Sequence, residues 1–112
     1  MNGKTPHIVQ YQGSKRILAP QILQYMPKRF NRLIEPFSGM AAISIAAAYE
    51  NRTDCFYIND LNAPLIHMLE EAVEYPERLI EAYTAVWNEQ FLPNTDHVQH
   101  FYEVRERFNH GE

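Results

Sequence analysis

One cysteine, Cys55, in 112 residues has no partner within the chain, so no internal disulfide framework is possible and a reducing, cytoplasmic location is expected. No apolar run approaches the ~18 residues that would span a bilayer, and the polar opening Met1 to Pro6 lacks a secretory apolar core, so no membrane partner is expected. Cations are also few: Lys and Arg number 10 against 14 acids, for a net charge of −4. That balance excludes a self-sufficient nucleic-acid binder, since phosphate contacts need clustered Lys and Arg. The local clusters are Lys15-Arg16 and Lys28-Arg29 with Arg32, for which a solvated basic face is the simpler account. The histidines are scattered, and His97 and His100 lack the acids or cysteines of a metal site. A partly exposed helix explains them. No repeat, low-complexity stretch or linker occurs.

What is there suits a folded chain. A hydrophobic content of 46% with 21% charged residues is ordinary for a globular protein. The length allows one domain or part of one, and is short for a doubly wound α/β fold. His7 to Tyr11 runs into Gln12-Gly13-Ser14-Lys15, where glycine permits a turn and Ser14 can cap the next segment. Pro20 suits the first turn of a helix carrying Ile22, Leu23 and Met26, stopped by Pro27. Leu33 to Glu35 reads as a short buried parallel strand, Ala41 to Tyr49 as a small-residue crossover helix, and Cys55 to Asn59 as a second strand with Cys55 buried in it. Asn62 predicts an N-cap with Pro64 in the first turn of the next helix, and Pro76 opens another. Thr95 is the expected cap of a last one. The apolar and aromatic stripes on these helices, Tyr83 and Trp87 among them, read as core.

The most informative segment is Glu35-Pro36-Phe37-Ser38-Gly39-Met40-Ala41-Ala42. An apolar strand breaks at an acid and a proline, turns on a glycine and becomes an alanine-rich helix. That geometry sets backbone N–H groups and a helix N-terminus against a nucleotide-like ligand. Asp60, 21 residues beyond Gly39, ends the second strand, where an acid that grips a ribose is expected. Two parallel strands alone would leave a sheet with bare edges, so the chain is expected to be the amino-terminal piece of a larger α/β protein.

In this order, Tyr11-Gln12-Gly13-Ser14-Lys15-Arg16, Glu35-Pro36-Phe37-Ser38-Gly39 and Ile58-Asn59-Asp60-Leu61-Asn62 resemble the amino-terminal signature of the DNA adenine methyltransferase family. The tail Phe101 to Asn109 is similar to a helix those enzymes carry before their next catalytic block, so the likeness runs from about Val9 to Asn109. Ser14 and Ala41 stand where the family often has glycine, so Ala41 must avoid positive φ or bear a small strain. The family's catalytic tetrad, Asp or Asn followed by Pro-Pro and an aromatic, has no counterpart in these residues.

The resemblance implies an α/β, partial Rossmann-like fold with two parallel strands and several helices, the other strands being absent from this chain. Residues 1–112 would form one cofactor-binding portion: a first motif and helix (1–31), the cofactor loop (32–62) and a helical region (63–112). It implies S-adenosylmethionine as cofactor and a flipped-out adenine in double-stranded DNA as methyl acceptor, the DNA being held by the missing remainder of the enzyme. Asp60 would take the ribose hydroxyls, and Gly39 would admit the cofactor to the backbone with Pro36 and Phe37 beside it. Lys15 would face the methionine carboxylate, Tyr11 would lie over the cofactor, and Glu35 would stand near the methionine ammonium or hold the loop. No catalytic residue and no metal ligand are expected in this chain. A second reading is a non-catalytic split module that joins a complementary chain, or a second copy of itself, through its open sheet edge. A third, a dehydrogenase dinucleotide site, lacks the third loop glycine and leaves Tyr11 to Arg16 unexplained.

Overall fold

The computed structural model describes residues 5–111. They form two compact units, one running through Ala72 and the other starting at Val73. The first contains α1 (Ala19–Leu23), β1 (Leu33–Glu35), α2 (Ala42–Tyr49), β2 (Phe56–Ile58) and most of α3 (Ala63–Glu74). The second contains the end of α3, then α4 (Pro76–Glu89) and α5 (His97–Asn109).

β1 and β2 pair in parallel with Leu33 opposite Phe56, Ile34 opposite Tyr57 and Glu35 opposite Ile58. With α2 between them they make one βαβ unit, an α/β arrangement. Because side chains alternate across a strand, Leu33, Glu35, Phe56 and Ile58 share one face and Ile34 and Tyr57 the other. The first face is covered. Leu33 and Phe56 pack on a cluster of fully buried Ala19, Leu23, Ala46 and Ala47. Ile58 packs on a second cluster of Met40, Ala41, Leu65 and Leu69. The alanines matter here, since side chains of one carbon let α2 lie close to α1 and the sheet. The opposite face is bare: Ile34 is 61% and Tyr57 55% exposed.

α1 is secured at its carboxyl end from a distant loop. The Arg52 guanidinium donates to the carbonyls of Leu23 at 3.2 Å and Pro27 at 3.0 Å, and pairs with Glu50 at 3.2 Å. It thereby adds a second donor to the last carbonyl of α1, which also accepts the Met26 amide at 3.1 Å, and ties down the turn that follows the helix.

Several local expectations need correction. Cys55 is exposed and precedes β2, where its carbonyl accepts the Leu33 amide at 2.9 Å and starts the ladder. α5 is capped by Asp96, not Thr95: the Asp96 backbone is extended and its carboxylate accepts from the Val98 and Gln99 amides. α1 ends at Leu23, so Met26 lies beyond it in a turn. The aromatic stripes of α4 and α5 are not core. Neither helix contains a buried residue, and Tyr83, Trp87 and Phe101 are all more than half exposed. Their rings pack on one another, with Trp87 6.3 Å from Tyr83 and 6.0 Å from Phe91, because two helices alone cannot enclose an aromatic stripe.

Candidate functional site

The turn between β1 and α2 has an unusual backbone. Phe37, Gly39 and Ala41 take φ of 57°, 53° and 56°, so every second residue is left-handed. For Phe and Ala this conformation is strained, and such strain persists only where the surroundings hold it. Ala41 thus bears the strain that its replacement of a glycine implied. It is held by its amide, which donates to the Ser38 carbonyl at 2.8 Å, and by its carbonyl, which accepts from Ile45 at 2.9 Å as α2 begins. Phe37 is 91% exposed, and its neighbour Ser38 is tied to the end of β2 by an amide that donates to the Asn59 carbonyl at 2.8 Å.

Asp60 buttresses the turn from the end of β2. Its Oδ2 accepts the Gly39 amide at 2.9 Å and its Oδ1 accepts the Asn62 amide at 2.9 Å. The Asn62 N–H first, and the Gly39 N–H second, hold this carboxyl below its ordinary pKa, against a smaller opposing effect of burial. On the other flank, Glu35 Oε1 accepts both the amide of Ser44 at 2.9 Å and its hydroxyl at 2.6 Å. A side chain from the strand therefore serves the first turn of α2, which has no side-chain bond at its own N-cap. The ring of Tyr11 closes the third side: a Cβ built on Gly39 would stand 3.3 Å from Tyr11 Cε1.

These groups surround a hollow of about 230 Å³ lined by Tyr11, Gly13, Ser14, Lys15, Glu35, Phe37, Ser38, Gly39, Met40, Ala42 and Asp60. Six of the seven candidate residues meet there: Tyr11, Lys15, Glu35, Phe37, Gly39 and Asp60. Pro36 does not line it. Met40, Ala42 and the buried Ser44 were not among the candidates. Of these only Ser44 had a signal in the sequence, as the one serine in a helix otherwise made of Ala, Ile and a terminal Tyr. A larger depression of about 650 Å³ runs along α5, from Asp96 to Arg107, but its lining comes from that one helix and its cap. Among the described residues no cluster of His, Cys, Asp and Glu could hold a metal, and no helix is long and apolar enough to cross a membrane.

Comparison with known families decides what this arrangement belongs to. The model of the D12 class N6 adenine-specific DNA methyltransferases matches residues 11–112, beginning at Tyr11 and including the turn and Asp60. The chain belongs to that class. This D12-class chain is also 36% identical over 75 residues to the Type II methyltransferase M1.LlaDCHI of Lactococcus lactis subsp. cremoris. The match covers 67% of the chain and 25% of that relative, so the chain spans only about a quarter of its length. No solved structure is similar to the chain beyond chance.

Proposed function

We propose that this chain is the S-adenosylmethionine-binding portion of a site-specific DNA adenine-N6 methyltransferase. The observation that carries this is the convergence of Tyr11, Lys15, Glu35, Gly39 and Asp60, from separate segments, on one hollow beside a strand-to-helix turn. The lining chemistry fits the cofactor. Aromatic faces at Tyr11 and Phe37 suit a base, carboxylates at Asp60 and Glu35 suit a diol and an ammonium, and the Lys15 ammonium suits a carboxylate. Each Asp60 oxygen has a second acceptor site beyond its backbone bond, so ribose hydroxyls can be taken without releasing the turn. The hollow is smaller than the ~300–1,000 Å³ of typical ligand pockets, so a whole nucleoside would extend past the Phe37 lip.

When bound, the cofactor supplies a sulfonium methyl for the exocyclic nitrogen of adenine. The chain's residues bind and orient it, which is most of what an in-line transfer asks of a protein. In this reading residues 1–112 are one cofactor-binding portion with no catalytic residue. The 112 residues contain no Pro-Pro pair, so methylation by this chain alone is not expected. Double-stranded DNA and the flipped adenine would be held by other parts of the enzyme.

The bare sheet face with exposed Ile34 and Tyr57 favours a second reading, a non-catalytic split module completed by a complementary chain or a second copy. Melting measurements test the first: S-adenosylmethionine at 100 times its Kd should stabilise the chain by about 2.7 kcal/mol, while nicotinamide dinucleotide should not. No shift at millimolar cofactor refutes it. Mixing with a chain bearing the Pro-Pro-aromatic tetrad tests the second, which predicts methylation of DNA by the mixture and by neither component.

A further inference from the structure

The net charge of −4 conceals a sharp segregation along the chain. No Asp or Glu precedes Glu35, whereas six of the 10 Lys and Arg do. Three of them, Lys28, Arg29 and Arg32, stand in the segment that leads from α1 into β1, and all three are exposed. That segment is pinned from below. Met26 and Phe30 pack on the buried cluster around Leu23, and the Phe30 amide donates to the Arg52 carbonyl at 3.1 Å. The Arg52 guanidinium in turn donates to the Pro27 carbonyl at 3.0 Å. Arg29 donates from one nitrogen to the Asn51 carbonyl, which fixes the guanidinium and leaves its other N–H donors uncommitted. Lys28 and Arg32 have no ion pair or side-chain hydrogen bond among the described residues. The adjoining loop offers Glu50, already paired with Arg52 at 3.2 Å, and Asp54, so cations remain in excess.

The spacing suits a polyanion. Lys28 and Arg32 are four residues apart, a reach of at most ~14 Å, over which one strand of a DNA duplex carries about four phosphates. The position is also distinctive. These cations lie at the amino ends of the two strands, where the Leu33 amide meets the Cys55 carbonyl, whereas Glu35 and Asp60 mark the hollow at the carboxyl ends. We propose that Lys28, Arg29 and Arg32 form a contact for the phosphodiester backbone of double-stranded DNA, separate from the hollow and at the other end of the strands. A duplex there is held by charge and not by sequence, and the contact adds to the grip that other parts of the enzyme have on their target. The inference goes beyond the methyl-donor reading and does not depend on it.

Fluorescence anisotropy of the full 112-residue chain with a short labelled duplex tests it. Tripling the salt concentration should weaken wild-type binding about 20-fold, as neutralisation of three phosphates requires. Replacing Lys28, Arg29 and Arg32 together by Gln should lower affinity at low salt at least tenfold and cut that salt effect below threefold. Lys28→Gln with Arg32→Gln, which breaks no bond among the described residues, should retain most of the loss and so guards against misfolding of the triple variant. Replacing Arg78, Arg105 and Arg107 by Gln removes as much charge from the second unit and should change affinity less than twofold. The proposal is overturned by a salt effect that persists in the triple variant, by an equal loss in the second-unit variant, by no duplex binding at low salt, or by tighter binding of double-stranded RNA. The melting shift with S-adenosylmethionine should be the same in wild type and in Lys28→Gln with Arg32→Gln, so failure here leaves the methyl-donor reading in place; a shift lost in that variant would show the contact to be part of the hollow and overturn its separateness.

Discussion

Replacing Gly39 separates backbone strain from crowding in the β1–α2 turn. With φ at +53°, any L side chain at this position incurs the left-handed penalty of about 1–2 kcal/mol. An added Cβ would also come within 3.3 Å of Tyr11 Cε1 and 3.6 Å of Cδ1. The second effect should be the smaller, because Tyr11 is 39% exposed and its ring can yield by a few tenths of an ångström. Gly39→Ala should therefore cost about 1–2 kcal/mol, or roughly 5–15 °C in melting temperature for a unit of this size. Gly39→Val should cost about 1 kcal/mol more, since a β-branched residue is poorly tolerated at positive φ. Gly39→Asn should cost least, because Asn enters this region readily. Urea denaturation of the three variants, and of Gly39→Ala with Tyr11→Ala, gives the ranking. If strain dominates, removing the Tyr11 ring recovers only a minor part of the loss. Full recovery in the double variant, or an Asn variant as unstable as the Val one, would refute this account of the turn.

Three more outcomes rest on the hydrogen bonds. The lowered Asp60 pKa means that its contribution to stability is fully present above the unfolded carboxylate value of about 4 and is lost as pH falls through its own lower value. The Gly39 amide resonance should shift over that acid window, and Asp60→Asn should abolish the shift; an amide that ignores the titration counts against the bond. Arg52→Ala should destabilise the first unit by about 1.5–3 kcal/mol, the worth of hydrogen bonds to a charged group, with Arg52→Lys recovering less than half because it lacks the fork that reaches Leu23, Pro27 and Glu50 together. Equal stability of the two variants in urea would contradict this. Asp96→Ala should lower α5 stability by about 1 kcal/mol, seen as lost helical circular dichroism on heating, whereas Thr95→Ala should be neutral; the reverse pattern would return the cap to Thr95.

Most of the site was legible because its parts are local punctuation. The strand Leu33–Glu35 is bounded by Pro36, and Gly39 and Asp60 stand at the interval a single crossover imposes, so their meeting is a result of topology. The bond between Glu35 and Ser44 was not legible, because it joins a strand end to a helix interior and leaves no pattern beyond one serine among alanines. Thr95 and Asp96 are both good caps by composition; the extended backbone at Asp96 and its carboxylate's bonds to the Val98 and Gln99 amides assign the cap. The stripes on α4 and α5 were correctly placed on helices and wrongly buried. Periodicity identifies a face, while burial depends on what else is present to cover it.

The pairing of β1 with β2 has a consequence for isotope labelling. In a parallel ladder only alternate residues of a strand bond to a given neighbour, and here each strand has one neighbour. The Leu33 and Asn59 amides are engaged across the pair and should exchange their hydrogens for deuterium slowly in the folded state. The Ile34 amide is directed to the opposite side and should exchange as fast as that of a water-exposed loop, so protection along one three-residue strand should switch on and off from one position to the next.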